Sequence, residues 1–140
     1  MRMVHLAKTV LLMAGATWLV TLAVAVSAQT ANPPDAAKLK NPTKATAESL
    51  AAGKVTFLKY CKFCHGEAGD GKGTLIPKGT TPSSFIDATW DFWSTDGEIF
   101  TNIKEGIGPK FNMKAMKMKI MDPDIWNVVN YLRSIGPKTK

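Results

Sequence analysis

The feature that most narrows what this chain can fold into is the cluster Cys61-Lys62-Phe63-Cys64-His65. Its two cysteines are the only ones present, and the one other histidine is His5, near the start. Two thiols so close in sequence close too short a loop to staple a fold. A zinc site built on them needs two further ligands, and beyond the leading segment no other Cys or His remains. Thiol–disulfide exchange on a thioredoxin-like scaffold needs a βαβ pattern around the pair, which is absent.

The chain begins with a segment to be set aside before the fold is read. Arg2, His5 and Lys8 form a short basic start, and residues 10–26 are an almost unbroken apolar run. Ser27 and Ala28 follow, so Val26-Ser27-Ala28 reads as the cleavage site of a secretory signal peptide over residues 1–28. At about 17 residues the run sits at the lower bound for crossing a bilayer, which makes an uncleaved anchor the rival reading. Both readings put the folded part outside the cytoplasm, in the periplasm or otherwise exported. Residues 29–45, with Pro33, Pro34 and Pro42 and no aromatic side chain, read as a flexible leader that buries nothing. Residues 46–137 make the domain and 138–140 a tail. A domain of about 90 residues has a small core and often leans on a metal or cofactor.

Three helices are expected. The first covers residues 47–64, capped by Thr46, with Leu50, Val55, Phe57, Leu58 and Phe63 as a loose apolar face. Gly53 within it implies a close helix crossing, because glycine in a helix interior costs about 1 kcal/mol against alanine. The second opens on Thr95-Asp96-Gly97-Glu98, the spacing of a capping box, and ends at Gly106. The third opens with Asp122 as N-cap and Pro123 at the first helical position, and stops at Gly136-Pro137. Its apolar stripe is Ile125, Val128, Val129 and Leu132. No strand alternation and no repeat is visible, so the fold class is all-α. The loop of residues 66–94 is long for a compact domain, unless it wraps something other than protein.

Cys-x-x-Cys-His is the pattern by which a haem is attached. Two thiols three positions apart at a helix end reach the two vinyl groups of one porphyrin, and the adjacent His65 meets the iron. One covalent haem c is the cofactor this predicts. No second histidine remains for the sixth position, and methionine is the natural donor. Met113, Met116, Met118 and Met121 all follow Gly106, interleaved with Lys114, Lys117 and Lys119. One of the four is expected to be the ligand; a lysine or water is the alternative.

These residues resemble class I monohaem c-type cytochromes, the short bacterial type similar to the cytochrome domains of cbb3-type oxidases. The likeness runs over residues 47–136. It rests on Gly53 to Phe57, on Tyr60 through Gly66, on Gly69-Asp70-Gly71-Lys72-Gly73 and on Pro82-Ser83-Ser84-Phe85. Gly97 to Phe100, Lys104 to Ile107 and the run from Asp124 to Arg133 complete it. The resemblance implies N- and C-terminal helices that cross, at Gly53 and Phe57 against Trp126 and Tyr131, around one haem. It implies Met113 as axial ligand, with Met116 as runner-up because Lys114 stands where the family has proline. It also implies a cofactor wall of Ile76, Phe85, Ile99 and Ile103, and Pro77 or Pro82 orienting the carbonyl that accepts the His65 Nδ1 proton. Trp90 and Trp93 are candidates to approach the propionates.

The function so implied is electron transport between exported redox proteins, without catalysis. One alternative is an electron-accepting subunit of a periplasmic dehydrogenase or reductase complex; another is a haem ligand sensor with an open sixth position. The formal charge is +7, and without Arg2 and Lys8 there remain 16 basic against 11 acidic side chains. Lys110, Lys114, Lys117 and Lys119 around the ligand loop suit redox partners with acidic docking surfaces. No nucleic-acid partner is expected, and a membrane only if the leading segment is retained.

Overall fold

The computed structural model describes residues 35–87, 90, 95–108 and 113–137. The signal or anchor segment, the first part of the leader, Trp93, Lys110 and the tail 138–140 lie outside the described residues. Helix α1 spans Ala47–Tyr60, and the Thr46 side chain accepts the Ser49 N–H at its start. Its buried residues are Ser49, Gly53 and Phe57, spaced four apart along one narrow stripe. Val55 and Phe63 are 66% and 42% exposed, so the apolar face is narrower than the sequence implied. The helix also ends earlier than predicted. Cys61 opens to φ −108°, and Lys62–His65 forms a separate turn, α2.

Helix α3 spans Asp96–Glu105 and carries the predicted capping box. Thr95 Oγ1 accepts the Glu98 N–H, and the Glu98 carboxylate accepts the Thr95 N–H. Helix α4 spans Asp122–Ile135, with Pro123 in its first turn. Its N-cap is Met121 rather than Asp122 and makes no side-chain cap bond. Asp122 and Asp124 instead place negative charge in the first turn, where the helix dipole favours it. Among the described residues no strand forms, and the one isolated bridge pairs Ile107 with Met113.

The core lies where α1 and α4 cross. A methyl group at Gly53 would collide with the Asn127 carbonyl oxygen and come within 2.9 Å of Tyr131 Cβ. The absent side chain therefore lets the backbones touch. Phe57 fills the next turn, 1% exposed, with its ring 5.4 Å from that of Tyr131. Helix α3 joins through Phe100, which stacks on Trp126 at 4.0 Å and 12°. Ile125, Val128 and Val129 are fully buried between them.

The leader departs from expectation. A 3₁₀ turn at Ala36–Lys38 buries Ala36 and lays its carbonyl against Gly97 of α3. Asn41 Nδ2 donates to Asn130 Oδ1 at 2.8 Å, while Asn130 Nδ2 donates to the Thr43 carbonyl and to Ser49 Oγ. Ser49 Oγ then donates to Asn127 Oδ1 at 2.7 Å. The second half of the leader is thus fastened by Ala36 and a few side-chain amides rather than by a run of apolar residues, which is why composition concealed it.

Gly53→Ala is expected to lower unfolding stability by about 1–3 kcal/mol through overpacking, whereas Val55→Ala should change it by less than about 0.5 kcal/mol. Denaturant titration of the two variants checks this. Asn130→Leu should cost about 1–3 kcal/mol by stranding the groups that it pairs. Protection of residues 35–43 from limited proteolysis should fall with it.

Candidate cofactor site

The end of α1 and the turn α2 place Cys61, Cys64 and His65 together on the wall of a cavity of about 260 Å³. Ile103 and Ile107, at the end of α3, line it as well, along with Met113 and Met116 beyond them. A smaller cavity of about 50 Å³ adjoins it, sharing His65, Ser83, Ile103, Ile107 and Met113 and reaching inward to Phe85, Trp90 and Asn102.

The glycine-rich stretch after the motif is what closes the turn. Gly71 N–H donates to the His65 carbonyl, Gly73 N–H to that of Cys64, and Leu75 N–H to that of Phe63. The carbonyls left open at the end of α2 are thereby satisfied. Gly71 sits at φ 77°, in the left-handed region, and a Cβ on Gly73 would run into the Phe63 carbonyl oxygen.

His65 is oriented from behind. Its Nδ1 lies 3.0 Å from the Ser83 carbonyl oxygen, and the Phe85 ring packs 4.8 Å from the imidazole. Burial pushes the His65 pKa down, opposed in part by that carbonyl. A carbonyl oxygen can only accept, so Nδ1 carries the proton toward Ser83, and a neutral ring would leave the Nε2 lone pair for a metal. The accepting carbonyl belongs to Ser83, directly after Pro82, so of the two prolines expected to orient it Pro82 is the one beside it and Pro77 is not. Burial, reinforced by the neighbouring Cys64, pushes the Cys61 thiol up to about 12. A thiol held protonated is a poor nucleophile for disulfide exchange. Cys64 Sγ donates to the Leu75 carbonyl at 3.1 Å.

Other expected residues separate cleanly. Phe85, Ile99, Ile103 and Trp90 line the cavities. Ile76 does not. It is 39% exposed, while Leu75 and Pro77 on either side line the larger cavity, since neighbours along an extended stretch point to opposite faces. Met118 and Met121 are 88% and 75% exposed, which leaves Met113 and Met116 as the methionines facing the cavity. Sequence reasoning missed Asn102, although it lies on the α3 face between Ile99 and Ile103. Among the described residues no three His, Cys, Asp or Glu side chains gather as a metal cage.

Two thiols, an imidazole with one free nitrogen and thioethers, around a largely apolar cavity, fit a covalently held haem and not a zinc ion. With α1 and α4 crossing beside that cavity, fold and site define a class I c-type cytochrome. The family profile described as cytochrome c oxidase, cbb3-type, subunit III matches residues 48–132, and the chain belongs to that family. Its cofactor is covalently bound haem c, and it is an electron-transfer protein. No curated protein matches the sequence.

Solved structures agree on the fold. A chain of the Kuenenia stuttgartiensis reducing HAO-like protein complex superposes with a TM-score of 0.62 at 19% identity, over 71% of this chain and 50% of that one. Cytochrome cL from Hyphomicrobium denitrificans gives 0.56 at 22%, over 71% and 54%. The KustC0563 c-type cytochrome gives 0.51 at 28%, over 61% and 98%. The chain thus spans about half the length of the first two.

Phe85→Ala is expected to cost about 3 kcal/mol, the low end for removing a large aromatic. Ile76→Ala, outside the cavity, should cost far less. Thermal unfolding of the two holo-proteins distinguishes these positions.

Proposed function

We propose that Cys61 and Cys64 hold haem c through two thioethers, that His65 Nε2 and Met113 Sδ are its axial ligands, and that the protein carries single electrons between exported redox proteins. The observation that carries the ligand choice is that Met113 and His65 line both cavities, whereas Met116 lines only the outer one. The Met113 backbone is also pinned on both sides: Ile107 N–H donates to its carbonyl at 2.8 Å, and its own N–H donates to Ile107 at 3.1 Å.

Haem supplies a one-electron Fe(III)/Fe(II) couple when bound. The chain does the rest. Ser83 and Phe85 fix the imidazole, and Ile99, Ile103, Ile107 and Leu132 keep water away from the ligands. A thioether donor favours Fe(II) relative to harder donors. With both axial positions filled by protein there is no place for a substrate at the metal, hence transfer without catalysis.

The partner surface follows from charge. Lys114 lines the outer cavity, and neither it nor Lys119 has an ion pair among the described residues. Lys117 is paired with Glu105, so the basic loop is weaker than its sequence suggests. Beside Cys64, Phe63 and Leu75 are 42% and 66% exposed, an apolar margin suited to close approach. A partner with acidic groups around an apolar centre fits this edge. A second reading makes the domain an electron-accepting subunit of a larger complex, a use favoured by its fold likeness to a chain of the HAO-like complex. The protein is taken to act in the periplasm; among the described residues no helix is long and apolar enough to cross a membrane.

Met113→Ala is expected to abolish the weak far-red absorbance of the oxidised protein that marks sulfur ligation of iron, and Met116→Ala to leave it. The reverse result moves the ligand to Met116. Absence of the band in the unaltered protein, with carbon monoxide binding to its reduced form, would identify a ligand sensor instead. Second-order electron-transfer rates with an acidic partner should fall as ionic strength rises, and fall severalfold at low salt in Lys114→Glu. Stopped-flow measurement at several salt concentrations checks both. Copurification with a catalytic protein would favour the subunit reading.

A further inference from the structure

Residues 113–121 carry four methionines, and the cofactor site uses at most two of them. The other two, Met118 and Met121, are 88% and 75% exposed, the highest values for large hydrophobic side chains among the described residues. That exposure is set by the backbone. Met116 N–H donates to the Ile103 carbonyl and Lys117 N–H to that of Lys104, at 3.0 and 3.2 Å, which ties the segment to α3. The Met116 carbonyl accepts the Lys119 and Ile120 N–H groups and closes one turn, and Ile120 enters the core at 3% exposure. With Ile120 turned inward, Met118 and Met121 on either side of it stand in solvent. The Met121 carbonyl accepts the Asp124 and Ile125 N–H groups where α4 starts, while its side chain makes no cap bond. Neither thioether holds the fold together.

A thioether is a two-electron reductant that needs only access to its oxidant. Attack of the sulfur on a peroxide forms one S–O bond and breaks the O–O bond. One thioether and one hydrogen peroxide give one sulfoxide and one water; the sulfur is oxidised and the peroxide reduced by the same two electrons. The product is a polar side chain, which disrupts a core or a methionine-lined contact. Met113 and Met116 pack against the core and line the larger cavity, where the new oxygen would sit against apolar side chains. At Met118 and Met121 it stays in water. The same loop thus separates thioethers that must remain reduced from thioethers that can be oxidised without cost to the fold.

We infer that Met118 and Met121 are a sacrificial oxidation site, which takes oxygen from peroxides ahead of Met113 and Met116. The ligand loop can then absorb two oxygen atoms and keep its ligand. Where the oxygen goes is independent of the haem reading, whereas what it spares rests on Met113 as the axial ligand proposed above.

The test treats the full holo-protein, with its iron held as Fe(III), with hydrogen peroxide at two equivalents per chain. Cleavage after Glu105 and Asp122 releases residues 106–122, so fragment masses compare all four methionines on one peptide. Oxygen is expected at Met118 and Met121 severalfold faster than at Met113 or Met116, with the far-red sulfur band and the thermal midpoint unchanged. In the double variant Met118→Leu with Met121→Leu, the same dose should raise sulfoxide at Met113 and Met116 severalfold. Equal rates at all four positions overturn the inference, as does oxygen arriving first at Met113 or Met116. An unchanged yield at Met113 and Met116 in the double variant overturns the sacrificial role. Should the unaltered protein lack the far-red band, the Met113 ligand reading fails, while the fragment masses still decide where oxygen goes.

Discussion

Everything in this domain hangs on the contact between the Gly53 backbone and the carbonyl of Asn127. Helix burial in a domain of this size is limited, so α1 and α4 gain most by approaching as closely as backbones allow. That approach fixes where Phe57 points, and Phe57 touches both Tyr131 and, edge-on at 6.3 Å, Phe85. Phe85 in turn packs on His65. A continuous path of aromatic contacts therefore runs from the helix crossing to the imidazole, and the orientation of the His65 ring inherits the precision of the crossing.

Much of this was legible in the sequence because it depended on local rules. Thr95 and Glu98 announced a capping box and Gly53 a close crossing. Each is a short-range pattern with one physical cause. What stayed hidden needed distant partners. The docking of residues 35–45 rests on Asn41 and Asn130 pairing across most of the chain, and single amides carry no periodicity. Ile76 failed for a related reason: in irregular backbone, which of three adjacent apolar residues faces inward is decided by hydrogen bonds such as Leu75 N–H to Phe63. The pairing of Lys117 in the lysine loop with Glu105 was likewise invisible until the fold brought them together.

The cofactor site divides its labour between elements of different character. The side chains proposed to bind the haem come from a helix end and a short irregular segment, both positioned by backbone hydrogen bonds. The residues that wall the cavities come from α3 and from Ser83, Phe85 and Trp90, and Phe85 packs on both Phe57 of the core and the His65 ring.

The three backbone bonds from Gly71, Gly73 and Leu75 to His65, Cys64 and Phe63 tie the glycine-rich stretch to α2. Cys61 and Cys64 stay half-buried on the wall of the larger cavity, so the closed loop still leaves both residues beside the space that a large planar group would fill. A group joined to both sulfurs would add covalent closure to a turn otherwise held by bonds that are individually weak.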